Sequence, residues 1–304
     1  MPMSIPKNLN SAAEICIIGG DARQYYLSLT LADKGFSVSA YAIPEIGGGD
    51  AALNGDSGIT VHSVLESALF GVKTVILPFP LSPDGITLNC AEEEKPSLKD
   101  VFSAIADVCG SETRVLAGAV KERSRDIAAS FGIEITDYGA MEEIALENAV
   151  PTAEGAVETA MNHLNVTIRG SAFSVIGYGR CGSELARLLK AMGAEVFGIA
   201  RSDKDRAKMR NDGVKSADFD GLIQAVNNSD IVFNTVPFNV FDCHTLSLLK
   251  PETVIIELAS APGGVNRECA ARYGVRVIHA PSLPGKYAPK SAAEIIARAI
   301  IPML

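Results

Sequence analysis

Short apolar runs alternate with longer stretches of helical periodicity, and the alternation occurs twice along the chain. In the first half, residues 15–18, 38–41, 74–77, 114–117 and 133–135 read as strands: short, largely β-branched, and bounded by Gly, Pro or Asp. Residues 22–34 and 98–109 carry helical spacing between them, and Gly35 stands where a glycine would end the first helix. The second half repeats the scheme with strands at 173–176, 195–199, 231–234, 254–258 and 275–279. Helices at 181–192, 203–211, 221–227 and 265–273 fit between them. Strand–helix alternation of this kind predicts parallel sheets covered on both faces by right-handed crossovers. The expected class is α/β, with two doubly wound parallel-sheet domains.

Residues 141–165 between the halves are mostly strong helix formers interrupted by Pro151. A proline there predicts that one helix ends near Asn148 and another begins at Pro151, in its favoured first-turn position. The expected division is an N-terminal substrate domain over 1–148 and a dinucleotide-binding domain over 149–290, joined by this helical hinge. The last helix, 291–302, is apolar along one face and suits a return onto the first domain. Residues 47–58 form a glycine-rich loop without apolar period, readable as a flap or as a plain connection.

Composition narrows the function. The 304 residues carry a net charge of −9, so there is no basic footprint for nucleic acid. Apolar residues make up 47%, enough to fill two cores, and mean hydropathy is +0.20. No apolar run nears the roughly 20 residues of a membrane span, and the first residues have no signal-peptide core. The expectation is a soluble intracellular protein. Six cysteines (Cys16, Cys90, Cys109, Cys181, Cys243, Cys269) never form a CxxC pair and read as reduced, buried small residues. Four dispersed histidines offer no metal-ligand spacing, so no metal site is expected.

Gly177, Tyr178, Gly179, Arg180, Cys181 and Gly182 form a GxGxxG run. The pattern alone is weak, but here it follows a strand and opens a helix, the context of a dinucleotide site. Gly177 suits the tight turn, Gly179 the approach of backbone to pyrophosphate, and Gly182 close helix–strand packing. An acid normally ends the second strand of an NAD site. Here the strand runs into Arg201 and Ser202, which suit a 2′-phosphate and so point to NADP. Thr235, Val236 and Pro237 end the third strand, where they can line the nicotinamide ribose, and Ala259 and Ser260 end the fourth.

The first domain opens with Gly19-Gly20 and then Asp21, Arg23 and Gln24 in the first helical turn. Asp21 suits an N-cap. In a doubly wound domain Arg23 and Gln24 face the interdomain cleft, and the guanidinium and helix N-terminus suit a carboxylate substrate. Thr152 at the second helix start is a candidate substrate ligand, with Glu154 readable equally as an early-turn acid.

In order along the chain, GGDARQ, NAVPTAEG, GYGRCG, ARS, NTVP, LASAPGG and LPGKYAPKSA resemble the A subunits of dipicolinate synthases over nearly its whole length. That resemblance implies NADP-linked oxidation of dihydrodipicolinate to pyridine-2,6-dicarboxylate, the spore calcium chelator. It implies an architecture like that of hydroxyacid and alanine dehydrogenases. It also implies a partner, a flavoprotein-like B subunit, and the mother-cell cytoplasm of a sporulating bacterium as location. For this chemistry Arg23, Gln24, Thr152, Ser260 and Lys286 are the candidate substrate ligands, and Lys290 or Asp21 the candidate proton acceptor. Two rivals share the frame. One is a 2-hydroxy or 2-amino acid dehydrogenase using His279, the other a nucleotide-binding subunit without chemistry of its own.

Overall fold

The computed structural model describes residues 13–44 and 58–304. They fall into two units: residues 13–44 and 58–145 with 289–304, and residues 146–288. Each unit is built on a six-stranded, wholly parallel sheet. The fold class is therefore α/β and doubly wound in both halves.

In the first unit the chain runs β1 (Ile15–Ile18), α1 (Ala22–Asp33), β2 (Val38–Tyr41), β3 (Ile59–His62), α2 (Leu65–Leu69) and β4 (Thr74–Ile76). It continues through α3 (Leu98–Val108), β5 (Arg114–Ala117), α4 (Glu122–Ser130), β6 (Ile135–Asp137) and α5 (Glu142–Glu147). The sheet order is β3-β2-β1-β4-β5-β6, so the strand order reverses between β1 and β4. Alternate strand residues feed two cores, as a pleated sheet covered on both faces requires. Ile15, Ile17, Val38, Ala40 and Ile76 pack under α1, whereas Cys16, Ile18, Val75 and Leu77 pack under α2 and α3. Lys34 closes α1, and Gly35 follows at φ +99°, the left-handed turn that glycine adopts without a Cβ clash.

The second unit contains α6 (Ala149–Met161), β7 (Ala172–Ile176), α7 (Arg180–Ala191), β8 (Glu195–Ile199), α8 (Asp203–Asn211), β9 (Lys215–Ala217) and α9 (Leu222–Asn227). It then passes through β10 (Ile231–Asn234), α10 (Cys243–Ser247), β11 (Val254–Glu257), α11 (Arg267–Arg272), β12 (Arg276–His279) and α12 (Leu283–Tyr287). Its order, β12-β11-β10-β7-β8-β9, reverses between β10 and β7. Phe173, Val175, Phe233 and Ile256 pack under α6 and α7; Ile176, Val232 and Ile255 pack under α9 to α11. The chain ends in α13 (Pro289–Ile300), whose Ala293, Ile296, Ala297 and Ile300 are buried in the same core as Leu27 and Leu31 of α1.

Several elements differ from expectation. β3 and β9 are edge strands absent from the expected set. β9 is three residues long with a Lys at its start, and β3 follows directly on the glycine-rich stretch. The short helices α2, α10 and α12, of five residues each, are below the length at which periodicity is legible. The nine-residue α4, also unexpected, buries only Ser124 and Ala128 and so writes no apolar period. The last strand of the first unit is Ile135–Asp137 rather than 133–135. Residues 47–57 of the glycine-rich loop lie outside the described residues. At the hinge, α5 ends at Glu147 and α6 begins at Ala149, so Pro151 sits inside the first turn of α6 rather than at its first residue. The largest departure concerns cysteine. Cys243 and Cys269 are joined by a disulfide, with Cα atoms 5.2 Å apart, while Cys16, Cys90, Cys109 and Cys181 are free. A separation of 26 residues hides the pair in the sequence, and only the packing of α10 against α11 brings the sulfurs together. No helix among the described residues is long and apolar enough to cross a membrane.

Candidate functional site

Beyond the carboxyl ends of β7, β8, β10 and β11 lies a cavity of about 960 Å³. Residues 177–182, 199–202, 235–240 and 258–260 line it, with Asp205 and Phe219. Gly177, Tyr178, Gly179, Arg180, Cys181, Gly182, Arg201, Ser202, Thr235, Val236, Pro237, Ala259 and Ser260 are therefore brought together at one opening. It sits at the point where strand order reverses, the usual ligand crevice of an open α/β sheet.

The glycines divide into two kinds. A Cβ on Gly182 would lie 2.2 Å from the Gly177 carbonyl oxygen, so α7 can pack this closely on the turn only without a side chain. Gly177 has φ +92°, and a Cβ there would meet Thr235 Oγ1 at 2.4 Å. Gly179 is different: nothing lies within 4 Å of where its Cβ would be. Gly179 is also the N-cap of α7 and, being glycine, offers the first turn no side-chain cap. An open space facing a helix start that lacks a side-chain cap is a cradle for an anion. The residues present thus fit the pyrophosphate of a dinucleotide.

Several side chains in this ring serve the scaffold. Tyr178 is buried, and its hydroxyl donates to Asp212 at 2.7 Å. Burial and the Asp212 carboxylate push the phenol well above its ordinary range. Thr235 donates its hydroxyl to the Ile176 carbonyl at 2.8 Å. Cys181 is a half-buried thiol whose pKa burial raises, with Arg180 and the Thr152 hydroxyl acting in the opposite direction. Thr152, which donates to the Asn148 carbonyl at 2.6 Å, thereby lies beside the fingerprint helix.

At the end of β8, Ser202 caps α8, accepting from the Asp205 N–H at 3.0 Å and donating to the Asp205 carboxylate at 2.8 Å. Arg206, not among the expected site residues, donates to the Ala200 and Arg201 carbonyls at 2.8 Å each and pairs with Asp203. It holds the strand exit from behind. Arg201 is exposed on the cavity rim, and among the described residues no carboxylate pairs with it.

The other wall hangs on an acid that is absent from the candidate ligands. Glu257 is 3% exposed. Its carboxylate accepts from Asn234 Nδ2 at 2.9 Å, the Ala259 N–H at 3.1 Å and the Gly264 N–H at 2.9 Å. Asn234 in turn donates to the Val236 carbonyl and accepts from the Val236 N–H. The signal in the sequence was the acid at the last position of a buried apolar strand. His279 stands opposite Glu257 in the β11–β12 register, exposed, and partial desolvation with Arg267 nearby lowers its pKa from the ordinary 6.5. Lys286 is exposed on α12. Gly155 on α6 has no room for a side chain against Tyr287 and Leu283, which explains the glycine of NAVPTAEG.

In the first unit Asp21 caps α1 through the Arg23 N–H at 3.0 Å. It also binds the Arg23 guanidinium at 2.9 and 2.7 Å. That guanidinium is 5% exposed, donates to the Phe79 carbonyl, and lies 5.2 Å from the Phe79 ring centre. Gln24 is fully buried against Gly20, and neither end of its amide has a hydrogen-bond partner among the described residues. Lys290 is exposed in the first turn of α13, on a groove that Tyr26, Asp33, Lys34 and Glu294 line and that Asp21, Arg23 and Gln24 do not. No cluster of His, Cys, Asp and Glu among the described residues could hold a metal ion.

Comparison with known proteins matches the two halves to different families. Residues 14–139 match the family model for the N-terminal domain of the dipicolinate synthase A subunit. Residues 141–268 match that for the D-isomer specific 2-hydroxyacid dehydrogenase NAD binding domain. The chain is 30% identical over 292 residues to the dipicolinate synthase A subunit of Bacillus subtilis (strain 168), covering 96% of this chain and 95% of that relative. The chain belongs to the family of dipicolinate synthase A subunits. Within that family, the crystal structure of the A subunit from Bacillus halodurans superposes with a TM-score of 0.84 at 26% identity, over 97% of this chain and 99% of that one. An L-alanine dehydrogenase shares the fold, with a TM-score of 0.64 at 14% identity over 94% of this chain and 88% of that one. All the residues that line the cavity of the second unit fall within the segment that matches the NAD binding domain.

Proposed function

We propose that this chain is the dehydrogenase subunit of a dipicolinate synthase and that it oxidises dihydrodipicolinate to dipicolinate with NADP. The observation that carries the reading is the open anion cradle at Gly179 with Arg201, unpaired by any carboxylate among the described residues, at the rim of the same cavity. The first fits a pyrophosphate. The second fits a 2′-phosphate, because a guanidinium without a competing carboxylate is free for charge-assisted hydrogen bonds. Family membership supports the substrate.

The oxidation removes one hydride and one proton from the ring, and a bound nicotinamide dinucleotide supplies the hydride acceptor. This chain's residues do the rest. The N–H groups at the start of α7 hold the pyrophosphate, and residues 235–237 and 259–260 set the height and tilt of the nicotinamide end. For the dicarboxylate, Ser260, Lys286 and Thr152 are the ligands offered by the second unit. Gln24, whose amide is fully buried, is the ligand proposed in the first. Arg23 contributes through its charge and through the helix start it anchors, because Asp21 and Phe79 already take its Nε and Nη2 hydrogens. Lys290 or Asp21 is proposed as the proton acceptor. The partner is a flavoprotein-like B subunit, and the setting is the mother-cell cytoplasm of a sporulating bacterium.

The reading is tested by mixing the purified chain, with and without the candidate B subunit, with freshly generated dihydrodipicolinate and NADP or NAD. NADPH absorbance and pyridine dicarboxylate mass are followed together. Product and NADPH rising in step support the synthase. NADP binding without turnover in either mixture would leave a dehydrogenase of another substrate or a non-catalytic nucleotide-binding subunit. The 2-hydroxy acid rival needs His279 oriented by an acid. Glu257, opposite it in register, instead spends its carboxylate on Asn234, Ala259 and Gly264, which disfavours that dyad.

A further inference from the structure

We propose that Glu257 is a positioning residue that shapes the nicotinamide wall and, through its buried charge, makes the site prefer the oxidised over the reduced cofactor. The inference rests on the dinucleotide reading above and goes beyond it by assigning a role to a residue that does not line the cavity.

Three observations converge. Glu257 ends β11 at 3% exposure, and among the described residues no Lys, Arg or His forms an ion pair with it. Its three partners are neutral N–H donors, which stabilise the charge without cancelling it. Those donors lie on the two strand exits that frame the cavity: Asn234 grips both backbone groups of Val236, and the Ala259 N–H is itself on the lining. The exits also touch. A Cβ on Gly264 would lie 2.3 Å from Asn234 Nδ2 and 2.6 Å from the Val236 carbonyl oxygen, so the 258–264 segment folds onto the 235–238 segment with the carboxylate beneath both. An oxidised nicotinamide ring carries a positive charge and the reduced ring carries none. An anion without an ion-pair partner beneath that wall, acting through packed protein, favours the charged ring. Geometry and charge then act together, because the same carboxylate fixes the loops and sets the field at the place they frame.

The test separates the two contributions by measuring dissociation constants for NADP⁺ and NADPH calorimetrically on the full chain. Glu257→Gln removes the charge at nearly constant size, and because its amide nitrogen cannot accept from an N–H it also gives up at least one of the three bonds, a loss that falls on both cofactor forms and leaves their ratio to report the charge. The expected result is a shift of about tenfold in the ratio of the two constants toward NADPH. Asn234→Ala removes a bond and keeps the charge, and is expected to weaken both forms by the same factor. The double variant Glu257→Gln with Asn234→Asp returns a carboxylate to the pair and should restore the wild-type ratio. Equal losses for both cofactor forms in Glu257→Gln would overturn the proposal and leave a purely structural acid. Should that variant not fold, Glu257→Gln combined with Asn234→Ala removes the charge together with the donor it satisfied: a ratio shifted toward NADPH upholds the proposal, and an unmoved ratio overturns it. Failure of the wild-type chain to bind either form would refute the dinucleotide reading itself, a result distinct from both.

Discussion

Replacing Gly179 by Ala separates binding from folding at the cradle. Gly179 has φ −73° and ψ −161°, which alanine adopts without strain, and nothing lies within 4 Å of the added methyl. The fold therefore has no reason to resist. Lower entropy of the unfolded chain should stabilise it slightly, by about 0.4–1 kcal/mol. The methyl would nevertheless occupy the space a pyrophosphate oxygen needs to reach the first N–H groups of α7. Loss of one charge-assisted hydrogen bond costs about 1.5–3 kcal/mol, which is roughly 10- to 100-fold in dissociation constant. Gly182→Ala is the contrast. Its Cβ would lie 2.2 Å from the Gly177 carbonyl oxygen, so the helix must shift, with overpacking of about 1–3 kcal/mol expected as lost stability. The assay is a titration followed by NADPH fluorescence, beside thermal unfolding of each variant. The chain has no Trp, so its own emission interferes little. Wild-type affinity in Gly179→Ala, with the fold intact by thermal unfolding, would refute the cradle, because the methyl would then stand where no ligand atom comes.

Arg201→Ala should cut the preference for NADP over NAD about 10-fold or more and leave NAD affinity nearly unchanged, checked by parallel titrations with both dinucleotides. Lys290→Ala should abolish turnover with normal dinucleotide affinity, and unchanged turnover would remove Lys290 from the reaction. Thiol counting in denaturant without reductant should find four free thiols, and reduction should cost about 3–4 kcal/mol of stability by freeing a loop of 26 residues. His279 should titrate below 6.5 by NMR. With its folded pKa depressed, its contribution to stability is present above pH 6.5 and is lost as the pH falls through the folded value.

Part of this protein follows from local pattern and local chemistry alone. Buried parallel strands write continuous β-branched runs, so strands such as Ile15–Ile18 and Ile231–Asn234 were legible to the residue. The GxGxxG turn was legible because its requirements act within six residues, and so was the place of Arg201 at a strand exit. Folding decided whatever depends on convergence. Edge strands such as Lys215–Ala217 exist because a neighbour offers a free ladder, not because their own residues demand it. Cys243 reached Cys269 only through the packing of two short helices. Arg23 looked available for a ligand in the sequence, yet folding buries it against Asp21 and Phe79, because a guanidinium that loses its water must regain its hydrogen bonds from protein. Glu257 stands at a strand exit. Only the fold brings Asn234, Ala259 and Gly264 to its carboxylate, since three donors on two separate loops have no local sequence signature.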